Sequence, residues 1–285
     1  MSRIASTFDA LRREDRAAFV PFVMAGDPDY ETGLDILRAL PQAGADVIEL
    51  GVCFTDPMAD GPAIQAAGLR ALSNGQTLAK TLDMVRAFRA ENDDTPLILM
   101  GYCNPFASYG FDRFAADAAA AGVDGAIVVD LPPEEDAPLR TALVAAGIDL
   151  IRLVTPTTHD DRLETVLAGA SGFVYYVAVA GVTGRASAAP AAVRAALARV
   201  RRYTNLPICV GFGVKTPEQA QTMAQSADGV VVGSALCEAL ARAAERKTAA
   251  GGLETGRGEP DTIGNAVLTL ARDIATATRR ARNPE

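Results

Sequence analysis

A short unit recurs along the chain: a small residue or glycine, then aspartate, then a run of β-branched and aliphatic residues. It reads Ala43-Gly44-Ala45-Asp46 into Val47–Gly51, Ala121-Gly122-Val123-Asp124 into Gly125–Asp130, Ala146-Gly147-Ile148-Asp149 into Leu150–Val154, and Ser226-Ala227-Asp228 into Gly229–Gly233. Gly44, Gly122 and Gly147 suit the left-handed position that ends a helix, and an unbroken apolar run suits a strand buried on both faces. Each unit therefore predicts a helix, a stop and a strand. Further apolar runs at Ala18–Met24, Pro96–Met100, Phe173–Val177 and Pro207–Val210 bring the predicted strands to about eight, the number that closes a barrel.

Stretches rich in Ala, Leu and Arg, of helical length, separate the runs. Strands alternating with helices form right-handed βαβ units and a parallel sheet, either closed or doubly wound. The strand count selects the closed form, so the predicted class is α/β, a (β/α)8 TIM barrel. The segment up to Arg16 is expected to be an extra N-terminal helix covering the barrel bottom, and Ala249–Pro260 a loop before a final amphipathic helix. Two connections, Val52–Gln76 and Ala180–Pro190, exceed the usual loop length and would lie at the C-terminal face, where barrel enzymes build their sites. Residues 1–285 are read as a single catalytic domain, a length that one barrel can fill.

Composition supports a large core, with 49% apolar and 22% charged residues. The net charge of -8 argues against a partner that must be met by a basic face, so nucleic acid is not expected. The first residues lack the apolar core of a secretion signal, and no run approaches the ~18 apolar residues of a membrane span. A cytoplasmic protein is expected. Cys53, Cys103, Cys209 and Cys237 are widely spaced, and His159 is the only histidine, so no metal site is expected. His159 stands in a polar stretch resembling a helix start, a poor place for a catalytic triad.

Glu49 stands in Val47-Ile48-Glu49-Leu50-Gly51. An isolated carboxylate there would have its pKa raised toward neutrality, as alternate acid and base work requires; the alternative is an ion pair with an arginine at the rim. Asp56 and Asp60 lie in Phe54-Thr55-Asp56-Pro57-Met58-Ala59-Asp60-Gly61-Pro62, a shaped loop in which either could serve chemistry or only turn hydrogen bonds. Gly181-Val182-Thr183-Gly184, Gly211-Phe212-Gly213 and Gly233-Ser234 follow predicted strands six, seven and eight. Glycines admit an anion to the backbone N–H groups, and a helix starting at Ser234 adds its positive end, so a phosphate cradle is expected there. Alternation along Phe173–Val177 sends one of Tyr175 and Tyr176 into the barrel and the other toward the helices. Asp130 reaches the rim as structure or as partner contact. Lys80, Lys215 and Lys247 offer no lysine on a strand end for Schiff-base chemistry.

Together these motifs resemble the tryptophan synthase α-subunit family from Ala18-Phe19-Val20-Pro21-Phe22 to Gly233-Ser234-Ala235, most densely in Glu49-Leu50-Gly51 and Asp56–Gln65. The resemblance implies that Glu49 and Asp60 are catalytic, with Tyr175 as the active-site tyrosine. It places Phe22, Met100 and Phe212 around an indole ring, Thr183 on a closing loop, and Gly184, Gly213, Gly233 and Ser234 at the phosphate. It departs at Cys53, where the family usually carries proline, and at Ala178-Val179-Ala180, where some members are polar; both bear on loop closure and partner signalling.

What the family implies is retro-aldol cleavage of indole-3-glycerol phosphate to indole and glyceraldehyde 3-phosphate in tryptophan biosynthesis. No cofactor is expected in this chain. Pyridoxal phosphate is expected in a partner β subunit, within an αββα heterotetramer. Two rivals stand beside this reading: a non-catalytic barrel keeping only the phosphate cradle, against which Glu49 and Asp60 speak, and a freestanding lyase that needs no β subunit.

Overall fold

The computed structural model describes residues 2–178, 189–211, 213–249 and 262–282. Eight parallel strands close a barrel in sequence order, with β1 (Ala18–Met24) meeting both β2 (Ile48–Gly51) and β8 (Gly229–Val232). Between them run β3 (Leu97–Gly101), β4 (Gly125–Val128), β5 (Asp149–Val154), β6 (Val174–Val177) and β7 (Ile208–Gly211). The chain is the expected (β/α)8 TIM barrel. Gly44, Gly122 and Gly147 all have positive φ, as the stops between helix and strand require.

The repeated aspartates have a structural purpose. Asp46, Asp124 and Asp228, just ahead of β2, β4 and β8, each accept a backbone N–H from the start of the preceding odd strand: Phe19 at 2.9 Å, Leu97 at 2.8 Å and Ile208 at 2.9 Å. Ser171, ahead of β6, does the same for Leu150 at 3.0 Å. Arg16, Arg89 and Arg201 neutralise the three carboxylates in turn. The fourth look-alike, Asp149, instead accepts from the Ser2 hydroxyl at 3.1 Å. Ser2 caps α1 (Arg3–Arg13), whose Ile4, Phe8 and Leu11 recur on one face and pack with Val20, Ile98, Ile127, Ile151 and Phe173 in the barrel interior. The extra helix thus plugs the N-terminal end.

The expectation of a long loop from Val52 to Gln76 is corrected. Residues 52–61 are irregular, α3 (Pro62–Ser73) follows, and a short turn at 74–77 closes the connection. Pro62 at its start fixes φ where no N–H is needed, and Ile64, Ala67, Gly68 and Ala71 form a buried face at helical spacing. Asp27 and Arg70 pin this helix to the end of β1 through a two-pronged pair at 2.7 and 2.8 Å.

The barrel is wrapped by α2 (Tyr30–Ala39), α4 (Leu78–Arg89), α6 (Phe111–Ala121), α7 (Ala137–Ala145), α8 (Asp160–Leu167), α9 (Pro190–Val200), α10 (Pro217–Ala224), α11 (Ser234–Ala249) and α12 (Thr262–Arg279), with a short α5 (Cys103–Tyr109) after β3. His159 is the residue before α8, the helix start expected. The final helix is present, while the loop expected at Ala249–Pro260 lies, after Ala249, outside the described residues.

Candidate active site

Inward positions at the C-terminal ends of the strands line a cavity of about 320 Å³, open at the mouth. Phe22, Glu49, Met100, Leu153, Tyr175 and Val231 form its floor and walls. Asp60 closes one side from the loop after β2, and Gly213, Gly233 and Ser234 border the other. The structure therefore brings together every expected site residue that it describes. Thr183, Gly184 and Phe212 lie outside the described residues, as do Val179 and Ala180.

Glu49 is 1% exposed, and neither carboxylate oxygen has a hydrogen-bond partner. The choice left open between a lone carboxylate and an arginine pair is settled for the lone one. Burial alone pushes its pKa from 4.5 up to about 8, so the carboxyl is mostly neutral near pH 7. Asp60, 9% exposed, is raised by burial from 3.8 to about 6, against a hydrogen bond from the Tyr102 hydroxyl that favours its charged form. Two carboxyl groups on one cavity thus sit on opposite sides of neutrality, one protonated and one ionised, as acid and acceptor would be. Asp56 is exposed and receives only the hydroxyl of Thr55, a turn role.

Tyr175 is the inward tyrosine; Tyr176 packs outside among the helices. Burial, and then the charge of Glu49, raise the Tyr175 pKa well above its usual value, so it is a neutral donor. Its ring has room because Gly211 lacks a side chain: a Cβ there would sit 2.0 Å from the Tyr175 hydroxyl. Gly51 likewise makes way for Phe22, whose Cζ would be 2.6 Å from a Cβ. Asp130 is exposed rim structure, accepting the Cys103 N–H at 2.7 Å.

At the far side, Gly213 has φ +84°, and α11 begins at Ser234 with its positive end facing the cavity border. The described residues expected at an anion cradle thus border one cavity. Lys215, dismissed as a Schiff-base lysine, also lines it, its Nζ 3.1 Å from Glu238 on α11. Cys53 is buried with Phe22, Met24, Ile64 and Cys237, and burial raises its thiol pKa, so it is no ready nucleophile. Among the described residues no three His, Cys, Asp or Glu side chains gather as a metal site.

Sequence reasoning missed Tyr102 and Leu153, and weighed Lys215 only as a Schiff-base lysine. The one signal available was position, since each follows or ends a strand at the C-terminal face.

Fold and cavity define the class: a (β/α)8-barrel enzyme whose mouth holds two buried carboxyl groups, Glu49 and Asp60, beside glycines and a helix start. The family model described as tryptophan synthase alpha chain matches residues 8–256. A crystal structure of tryptophan synthase subunit alpha from Legionella pneumophila is similar at 38% identity, covering 98% of each chain, with a TM-score of 0.87. Tryptophan synthase from Mycobacterium tuberculosis is similar at 35% identity, again over 98% of each chain, with a TM-score of 0.84. The chain belongs to the tryptophan synthase alpha chain family. Its reaction is that family's: a carbon–carbon lyase cleavage of indole-3-glycerol phosphate to indole and glyceraldehyde 3-phosphate, in tryptophan biosynthesis.

Proposed function

We propose that Glu49 and Asp60 carry this cleavage, with Tyr175 beside Glu49. Phe22 and Met100, joined by Phe212, hold the indole. Gly213, Gly233 and Ser234, joined by Gly184, hold the phosphate, and Thr183 belongs to a segment that closes over the substrate. The observation that carries the reading is Glu49 itself: a buried, unpartnered carboxyl with its pKa at about 8, facing the cavity that also holds Asp60.

The neutral Glu49 gives its proton to indole C3, which turns the ring into an electron sink. The ionised Asp60 accepts the indole N–H and stabilises the positive charge that develops there. The Glu49 carboxylate then takes the proton of the hydroxyl on the carbon bonded to C3. As that O–H electron pair forms the aldehyde, the carbon–carbon bond breaks and its electrons return to the ring. Indole keeps the transferred proton, and Glu49 ends protonated as it began. These steps use only groups of this chain, and no cofactor enters them.

The 285 residues act as one catalytic domain in the cytoplasm; no helix among the described residues is long and apolar enough to cross a membrane. The partner is a tryptophan synthase β subunit carrying pyridoxal phosphate, in an αββα assembly. Supporting this, a relative at 33% identity is the M. tuberculosis tryptophan synthase in an aminoacrylate-bound form. The mouth of the barrel also presents Met58 at 77% exposure, an apolar side chain suited to cover by a partner.

Indole release from indole-3-glycerol phosphate by the purified chain, alone and with a β subunit, tests the reading. Slow release, strong acceleration by β, and a fall of ~10²-fold or more in Glu49→Gln with binding retained are expected. Near-normal turnover in the variant removes Glu49 from the chemistry. Fast release indifferent to β makes the protein a freestanding lyase.

A further inference from the structure

Tyr102 follows the last residue of β3 and is 3% exposed. Its ring lies against Phe54, centroids 5.7 Å apart. Its hydroxyl oxygen accepts the Ala59 N–H at 3.0 Å, and the hydroxyl stands beside the Asp60 carboxyl, where it favours the charged form. A single phenol at the end of a barrel strand therefore holds the backbone of an irregular loop one residue before Asp60. Asp60 is held from the other side as well: Gln65 on α3 donates to its carbonyl at 2.9 Å, and Arg70 fastens that helix to Asp27. Of these groups, the phenol alone influences the carboxyl itself.

We propose that Tyr102 is a positioning residue for the reaction, fixing the Asp60 carboxyl toward the indole N–H by its hydrogen bond to Ala59 and its ring contact with Phe54, which tie the loop after β2 to β3. This rests on the reading of Asp60 given above. The physical reason is preorganisation: an acceptor aimed in advance at developing charge need not reorient as the ring becomes cationic. A loop carboxylate held only by its own backbone would have to. Tyr102 touches substrate in no step; it acts through Asp60.

The test compares pH profiles of kcat/KM, which report the free enzyme, for the full chain, Tyr102→Phe, Asp60→Asn and the double variant. Among the described residues, the other ionisable groups around this mouth are Glu49 on β2, Tyr175 on β6, Lys215 after β7 with its partner Glu238, and the buried Cys53 and Cys237, whose thiols burial pushes up, Cys237 to about 12. Losing the phenol removes a donor that favours charged Asp60, so the acid limb must move to higher pH.

Expected for Tyr102→Phe are a kcat lower by about tenfold to a hundredfold, a KM within about twofold, and that upward shift of the limb. A fluorotyrosine installed at position 102, a stronger donor of the same shape, should move the limb downward. In the Asp60→Asn background, adding Tyr102→Phe should change little. An unmoved limb, or a full further loss in that background, overturns the inference while Asp60→Asn inactivity keeps the reading of Asp60. Normal turnover of Asp60→Asn overturns both.

Discussion

Gly211 and Tyr175 show how tightly single positions are set in this barrel. The two residues stand on neighbouring strands, and the tyrosine hydroxyl occupies the space where a Cβ at 211 would be. Gly211→Ala must therefore drive Tyr175 off its rotamer into the neighbouring cavity, at a cost of roughly 1–3 kcal/mol. Activity should fall with it, because the displaced ring enters the space beside Glu49. Replacing the ring by a smaller side chain, Tyr175→Leu, should relieve the strain. Urea unfolding of the four-member cycle is expected to show Gly211→Ala costing less stability in the Tyr175→Leu background than alone, by about 1 kcal/mol or more. Additive costs would mean that the alanine is accommodated elsewhere. Glu49 stood out in the sequence because a carboxyl inside an apolar strand is locally anomalous, whereas the Pro/Gly/Asp loop marked Asp56 and Asp60 alike and only the family resemblance singled out Asp60. Tyr102 did not stand out, since a tyrosine after a strand is ordinary until the closed sheet brings Asp60 to it.

Among the elements, the strands were legible because each carries an unbroken apolar run behind a turn signal. The helix α3 was not, because the loop signals of residues 54–62 masked the helical spacing that begins at Pro62. The recurring aspartate was visible as a pattern, but its reason lay in the sheet. Three of the four aspartates end the ladder of a neighbouring strand, whereas Asp149 ties down the N-terminal plug. The same residue in the same local sequence therefore carries different energies. Asp124→Ala would strand the Leu97 N–H, Arg89 and Arg3 in or beside the barrel, and a loss of about 3 kcal/mol is expected. Asp149→Ala would remove one partly exposed hydroxyl contact, for about 1 kcal/mol or less. Unfolding midpoints in urea measure the contrast. Equal losses at the two sites would show that the ladder caps contribute nothing beyond a generic aspartate.

For the molecule as a whole, the site is a local defect in a well-packed barrel, and its cost should appear in global stability with a particular pH dependence. The folded pKa of Glu49, about 8, lies above the ordinary value of 4.5, so the native state holds this proton more tightly than the unfolded chain does. Below the ordinary value both states are protonated and no penalty arises. Between the two values the unfolded chain gains by ionising while the folded chain cannot, so stability falls as pH rises. Above about 8 the full penalty is present. Glu49→Gln keeps the volume and a similar hydrogen-bonding need but never ionises, which cancels the pH-dependent part and leaves any fixed cost of the amide. The variant should therefore gain stability relative to the parent as pH rises from about 5 to about 9, by as much as a few kcal/mol, equivalent to several degrees in Tm. Asp60 titrates equally in both proteins and drops out of the difference. A difference that stays constant across this range would mean that Glu49 ionises normally in the folded protein, and the acid role assigned to it would lose its physical basis.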